Sequence, residues 1–210
     1  MIYSEKNKFL FIHVPKTAGT SIRRLLQSHY EDGITNGSFN KSDWNYHHVT
    51  ASKFKIHFGE EKWNEIYKFA FVRNPWDWLV SYYHYAIQSE DIAKSPDKQT
   101  NKWLHNMRQV KDFDEFVYRD NLLPFPQYLW VTDINDPNEI IVDYVGRVEN
   151  ISQDFNSIKL LANLHLPDLP VINKSKHDHY STYYTKAMVK RVEDRYGQDI
   201  SMFDYKFETN

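Results

Sequence analysis

The chain has 210 residues, of which 41% are hydrophobic, and a formal net charge of −2 at pH 7. This length is enough for one domain with a substantial core, so we predict a single domain over 1–210. The near-neutral charge argues against nucleic acid as a partner, and the lack of cysteine excludes a disulfide scaffold, a thiolate metal site and a cysteine nucleophile.

The first predicted element is a strand that leads through a tight turn into a helix. An apolar run at 8–14 is followed by the sequence PKTAGTS at 15–21, and apolar residues over 22–26 then recur at the spacing of one helical face. The first N–H groups of a helix lack partners and carry the positive end of its dipole. A turn of this kind therefore predicts an anion-binding site, to which Lys16 adds a mobile cation.

The residues of this turn leave the identity of the anion open. The standard nucleoside-triphosphate loop, G-x-x-x-x-G-K-[ST], would need glycine at the positions that hold Leu10 and Pro15. A nucleotide kinase on a similar sheet is therefore a weaker alternative, and it would need Mg²⁺ and an acidic metal ligand, with Asp143 as the candidate. A βα turn that merely carries a lysine is another alternative.

A second strand and helix follow further along the chain. The apolar run at 68–72 ends at Arg73, Pro75 suits the first position of a helix, and apolar side chains recur at helical spacing over 76–87. Arg73 is then expected at the carboxyl end of a strand, where open α/β sheets bind ligands, with Ser81 two turns along the helix. A guanidinium group and a hydroxyl group suit a second phosphate.

The two motifs, PKTAGTS at 15–21 and RNPWDWLVSYY at 73–83, together resemble those of the sulfotransferases that use 3′-phosphoadenosine 5′-phosphosulfate (PAPS). The resemblance is strongest to the carbohydrate-type branch, which includes the heparan-sulfate 2-O- and chondroitin sulfotransferases. It implies an α/β fold with a mainly parallel sheet flanked by helices and a P-loop-like nucleotide-binding architecture. The implied reaction moves a sulfuryl group from PAPS to a hydroxyl acceptor on a carbohydrate or a small polar metabolite. A non-catalytic nucleotide-binding module on the same fold is a further alternative.

The resemblance also assigns cofactor-binding residues. The first loop would hold the 5′-phosphosulfate, and the arginine and serine of the second motif would hold the 3′-phosphate. Residues 143–150 resemble the family's late strand and the start of the following helix, and 173–184 resemble its cofactor-covering loop. The resulting candidates are Lys16, Thr17, Ala18, Gly19, Thr20, Ser21, Arg73, Ser81, Lys174 and Ser175.

Transfer to an alcohol also needs a base that removes the proton of the acceptor. His47 and His48 lie between the two motifs, and in the resembling 2-O-sulfotransferases a histidine followed by valine occupies a similar place. This favours His48 as the base, with His47 second and a carboxylate still open. Lys16 would stabilise the negative charge that develops on the departing adenosine bisphosphate. Because lysine, arginine and helix N–H groups supply the positive charge, no metal is expected.

Two further helices have recognisable ends. Asp112 suits the N-cap of a helix that contains Phe113, Phe116 and Val117. A C-terminal helix is predicted over about 182–196, and Gly197 is expected to terminate it.

The hydropathy pattern contains no membrane span. No apolar run approaches the ~18 residues that a span requires, and no signal-peptide core precedes the first strand. We therefore expect a soluble, cytoplasmic protein without a membrane partner, unlike the anchored Golgi members of the resembling family.

Overall fold

The computed structural model describes residues 1–32, 49–89, 99–169 and 178–209, without the side chains of 99–101. These residues belong to two compact units. The described parts of the first unit are 1–32, 49–73 and 127–169, and those of the second are 74–89, 99–126 and 178–209. The assignment of 1–210 to a single domain stays a prediction.

The first unit contains a four-stranded sheet. Its strands, in the order β1-β2-β3-β4, are β1 (Ile2–Ser4), β2 (Phe9–Ile12), β3 (Tyr67–Val72) and β4 (Tyr144–Arg147). Strands β2, β3 and β4 are parallel, and β1 pairs antiparallel with β2. The predicted α/β fold with a mainly parallel sheet is confirmed, whereas the sequence patterns did not predict β1, which extends the sheet at its edge.

Helices complete both units. The first unit holds α1 (Gly19–His29), α2 (Ala51–Phe58), α3 (Glu60–Glu65) and α7 (Ile151–Leu161). The second unit holds α4 (Pro75–Gln88), α5 (Gln99–Met107), α6 (Phe113–Tyr118) and α8 (Lys186–Met202). Short 3₁₀ turns lie at Asp120–Leu122, Gln127–Trp130, Val148–Asn150 and Tyr180–Tyr183.

The core of the first unit lies between one face of the sheet and two helices. Side chains alternate between the faces of a strand, so Phe9 and Phe11 of β2 share a face with Phe69 and Phe71 of β3, and all four are fully buried. The helical side chains packed in this cluster are Ile22, Leu25, Leu26, Phe155 and Ile158. The apolar residues whose spacing predicts α1 are therefore the residues that pack against the sheet.

The register of the parallel strands determines where their ends lie. Ile12 of β2 is paired with Ala70 of β3, and Val72 of β3 is paired with Arg147 of β4. The carboxyl ends of these strands therefore meet at the same edge of the sheet. The loop after β2 and Arg73 after β3 both begin at this edge, as the sequence predicts.

The second unit is built around α4, whose predicted start is confirmed. Pro75 occupies the first turn, and the Asn74 side chain accepts a hydrogen bond from the Trp76 N–H at 3.1 Å. The predicted cap of α6 is also confirmed, because the Asp112 carboxylate accepts from the Glu115 N–H at 2.9 Å.

The predicted end of the C-terminal helix is wrong. Helix α8 bends at Tyr196 (φ −117°, ψ 24°) but continues through Gly197 to Met202. Tyr196 and Asp199 are both buried, so packing on each side of the glycine stabilises the continuation. A glycine inside a helix costs only about 1 kcal/mol, which such packing outweighs.

Candidate functional site

The loop between β2 and α1 has an unusual backbone. Lys16 (φ 64°) and Ala18 (φ 60°) are both in the left-handed region, which costs a non-glycine residue roughly 1–2 kcal/mol. No side chain caps α1 at Ala18, and the first N–H groups of a helix have no partner within it. Left-handed residues in a turn can bring successive N–H groups towards one point, which makes a concave anion site. The backbone conformation of this loop fits the predicted anion-binding site.

Thr17 stabilises the loop from inside. Its side chain is fully buried, and its Oγ1 donates a hydrogen bond to the Val14 carbonyl at 2.8 Å. This bond closes the turn between the strand end and the helix start. The hydroxyl is therefore occupied within the loop and contributes to its shape.

Gly19 is required by a close contact with His13. A Cβ atom at position 19 would lie 1.9 Å from Cδ2 of the His13 ring, far inside any allowed contact. His13 follows β2 and stacks on Phe11 with ring centroids 5.9 Å apart. The ring of this strand-end histidine thus lies directly against the first residue of α1, and only glycine permits that approach.

The two cations of the site influence each other. Burial, and next the positive charge of Arg73, lower the pKa of the Lys16 ammonium from 10.5 to about 8. Lys16 and Arg73 therefore concentrate positive charge at the carboxyl edge of β2 and β3. An anion at this edge would relieve their repulsion.

Gln127 holds the main chain of Arg73, and the sequence motifs did not predict this. The Arg73 N–H donates to Gln127 Oε1 at 2.9 Å, and Gln127 Nε2 donates to the Arg73 carbonyl at 2.7 Å. The glutamine side chain is fully buried. Only its residue type could have been a signal, because glutamine is seldom buried without a partner.

The remaining candidates occupy different places. Thr20 is exposed and Ser21 is buried in the first turn of α1, where the Ser21 N–H donates to the Ala18 carbonyl at 3.0 Å. Ser81 is buried on α4 in the second unit, and its pairing with Arg73 stays a prediction. The candidates that lie outside the described residues are His47, His48, Lys174 and Ser175.

The acidic residue that a kinase would need is engaged elsewhere. Asp143 immediately precedes β4, at the amino edge of the sheet, where its Oδ2 accepts from the Lys68 N–H at 2.6 Å and forms an ion pair with Lys68 Nζ at 2.9 Å. The loop between β2 and α1 lies at the carboxyl edge. Asp143 is therefore a partner of Lys68, and the hypothesis that it binds metal beside the loop is wrong.

Two further features concern metal ions and membranes in the parts of the chain that the structure describes. Within those residues, no group of three or more histidine, aspartate or glutamate side chains could hold a metal ion. The expectation that no metal is required stays a prediction. None of the helices in those ranges combines the length and apolarity that crossing a bilayer demands.

The fold and the site together define a class of protein. A mainly parallel sheet with a cationic loop at its carboxyl edge, leading into a helix N-terminus, is a nucleotide-binding α/β architecture. A model of the sulfotransferase family matches residues 1–206. The chain belongs to the sulfotransferase family, and the prediction of a sulfotransferase is confirmed.

Individual relatives agree with this assignment. Carbohydrate sulfotransferase 10 of Xenopus laevis is 25% identical over 244 residues, which cover 98% of this chain and 67% of that protein. Carbohydrate sulfotransferase 11 of Rattus norvegicus is 23% identical over 237 residues, which cover 98% of this chain and 66% of that protein. The chain thus spans about two thirds of their length, and the predicted resemblance to carbohydrate-type sulfotransferases is confirmed.

A solved structure shows the same fold. The crystal structure of mouse sulfotransferase SULT7A1 complexed with PAP matches with a TM-score of 0.52 and 13% identity, covering 97% of this chain and 91% of that chain. The predicted architecture is confirmed by this likeness.

Proposed function

We propose that the protein transfers a sulfuryl group from PAPS to a hydroxyl group of a carbohydrate or small polar metabolite. The observation that carries the proposal is the pair of cations, Lys16 and Arg73, at the carboxyl edge of β2 and β3 beside the N-terminus of α1. Membership of the sulfotransferase family and the carbohydrate sulfotransferases among its relatives support it, as does the PAP held by the mouse protein of the same fold.

The chemistry of the donor set fits a nucleotide with two phosphate ends. The left-handed loop, the N–H groups at the start of α1 and Lys16 suit the 5′-phosphosulfate, because each presents positive charge or a hydrogen-bond donor. Arg73, with its planar fork of donors, suits the 3′-phosphate, and Ser81 is its proposed partner. Lys174 and Ser175 are proposed to close over the nucleotide.

Bound PAPS would supply an activated sulfuryl group, and the residues of the chain would position it and manage charge. With a pKa of about 8, Lys16 is about nine tenths protonated at pH 7. It can therefore neutralise negative charge on the oxygen that leaves the sulfur. His48 is the proposed base that takes the proton of the acceptor hydroxyl, with His47 second and a carboxylate as the alternative.

The proposal is tested by calorimetry with adenosine 3′,5′-bisphosphate and with ATP, each with and without Mg²⁺. We expect metal-independent binding of the bisphosphate that is strongly weakened in Lys16→Ala and Arg73→Ala. A preference for ATP with Mg²⁺ would reject the sulfotransferase reaction in favour of a kinase.

A matched control separates local charge from overall charge. Lys8 is an exposed lysine at the amino end of β2, where its Nζ forms an ion pair with Glu65 at 3.2 Å. Lys8→Ala removes one positive charge at the opposite end of the same strand, so it should bind the bisphosphate like the unaltered protein. An equal loss in Lys8→Ala and Lys16→Ala would contradict a local site.

The base is tested separately from the nucleotide site. We expect His48→Ala to lower sulfuryl transfer roughly 10²- to 10⁴-fold, the usual contribution of a general base, while bisphosphate affinity is kept. His47→Ala is the matched control and should lose much less. Unchanged turnover in His48→Ala would remove this histidine from the mechanism.

A further inference from the structure

The main chain of Arg73 forms hydrogen bonds that the sheet alone does not provide. The last residue pair of β3 and β4 joins Val72 and Arg147, so Arg73 lies one position beyond the paired strand. The buried amide of Gln127 accepts from its N–H at 2.9 Å and donates to its carbonyl at 2.7 Å. One side chain thus satisfies both main-chain groups of Arg73, as a neighbouring strand would.

These two bonds restrict the direction in which the Arg73 side chain leaves the backbone. Both peptide groups that flank its Cα are tied to one rigid, fully buried amide, so the Cα–Cβ direction is restrained. The restraint matters because Arg73 lies near a like charge, whose presence is recorded in the lowered pKa of Lys16. Without an anion, repulsion would favour a guanidinium that turns away from the site.

A restrained arginine binds a phosphate more tightly than a mobile one, because less ordering is left to occur on binding. We infer that Gln127 is a positioning residue that determines selectivity for the 3′-phosphate of the nucleotide, acting through the backbone of Arg73. The inference rests on the proposed function, which assigns the 3′-phosphate to Arg73. It adds a fully buried residue, whose proposed effect on the nucleotide passes through Arg73.

The test compares two ligands that differ by one group. Adenosine 3′,5′-bisphosphate and adenosine 5′-monophosphate share the base, the ribose and the 5′-phosphate. The dissociation constant of the monophosphate divided by that of the bisphosphate is therefore the ratio that isolates the 3′-phosphate. Gln127→Met keeps the length of the side chain and removes both hydrogen bonds. We expect this variant to lower the ratio by about tenfold and to leave the affinity for the monophosphate nearly unchanged.

A second variant reports on the hydrogen bonds themselves. In Gln127→Glu the protonated carboxyl can accept from the Arg73 N–H and donate to the Arg73 carbonyl, whereas the ionised carboxylate can only accept. Burial raises the pKa of a carboxyl group and the positive charge of Arg73 lowers it, but the protonated fraction grows as the pH falls in either case. The ratio for Gln127→Glu, divided by that of the unaltered protein at the same pH, should therefore recover as the pH is lowered towards 5. Should Gln127→Met fail to fold, this titration makes the comparison within one variant.

Two controls distinguish positioning from a general loss of structure. At the other end of β3, Asp143 accepts from the Lys68 N–H and forms an ion pair with Lys68 Nζ. Asp143→Asn removes the ion pair, so it should lower thermal stability and leave the ratio unchanged. In Arg73→Ala, adding Gln127→Met should lower the ratio no further, because Gln127 acts through Arg73.

The outcomes separate the inference from the function on which it rests. If the unaltered protein binds both nucleotides equally well, the proposed 3′-phosphate site is refuted. If the unaltered protein discriminates between them and Gln127→Met discriminates equally well, only the positioning role is refuted. A further loss from Gln127→Met in the Arg73→Ala background would also refute it.

Discussion

We expect the charge of Lys16 to make nucleotide binding depend on pH. Burial, and then the charge of Arg73, lower the pKa of this ammonium from 10.5 to about 8 in the folded chain. A bound phosphate favours the charged form, so the binding-competent population falls as the pH rises past 8. At pH 7 about nine tenths of the protein carries the charge and at pH 9 about one tenth, so the affinity for adenosine 3′,5′-bisphosphate should fall about tenfold.

Two variants assign this dependence to its cause. Lys16→Arg keeps a charge throughout the range, so its affinity should no longer change between pH 7 and pH 9, whatever its absolute value. Arg73→Gln removes the second cause of the lowered pKa. Its affinity should be lower overall, and the decline should move to higher pH without reaching 10.5, because burial remains.

The assay is calorimetry in buffers of different ionisation enthalpy, which counts the protons taken up on binding. At pH 9 we expect uptake of nearly one proton per nucleotide by the unaltered protein, and none by Lys16→Arg. A constant affinity from pH 7 to pH 9 would refute the argument. So would an undiminished decline in Lys16→Arg, since another group would then be responsible.

The same titration affects stability, with a sign that follows from linkage. Between pH 8 and pH 10.5 the unfolded chain binds more protons at Lys16 than the folded chain, so its contribution to the free energy of unfolding rises with pH. The rise is at most about 3 kcal/mol. Urea unfolding at pH 7 and pH 10 measures this rise. The free energy of unfolding of Lys16→Met minus that of the unaltered protein should decrease between these pH values, and a constant difference would contradict the prediction.

Three further predictions concern the loop and the core. Gly19→Ala places a Cβ 1.9 Å from the His13 ring, so it should abolish bisphosphate binding and lower the melting temperature. Thr17→Val removes the hydroxyl that donates to the Val14 carbonyl and leaves that carbonyl without this bond, which should cost about 1–3 kcal/mol in urea unfolding. Phe155→Ala empties part of the core beneath the sheet and should cost about 3–5 kcal/mol by the same measurement, with bisphosphate affinity kept.

Each of these predictions has its own control. His13→Ala in the Gly19→Ala background should recover part of the lost stability, and no recovery would contradict the steric argument. Thr17→Ser keeps the hydroxyl and should lose little. Phe155→Leu retains most of the apolar volume, so a loss as large as that of Phe155→Ala would show that cavity formation is not the cause.

Local patterns were sufficient to predict the strands and helices around the site. Continuous apolar runs mark β2 and β3, and apolar side chains recur about every 3.6 residues along α1 and α4. Both patterns depend on neighbours a few positions away. Asn74 and Pro75 mark the start of α4 for the same local reason. The predicted end of α8 was wrong. Gly197 is a local signal for a helix end, whereas the burial of Tyr196 and Asp199, which stabilises the continuation, depends on the tertiary structure.

The sequence by itself determined the two strand, turn and helix motifs, and with them the family and the identity of Lys16 and Arg73 as its cationic candidates. Only the tertiary structure decided which groups hold the Arg73 main chain and how far the pKa of Lys16 is lowered. Gln127 reaches Arg73 across 54 positions, and Asp143 reaches Lys68 across 75. Burial and charge also act on Lys16 through space. These effects depend on distance in the folded chain, which the order of residues does not state.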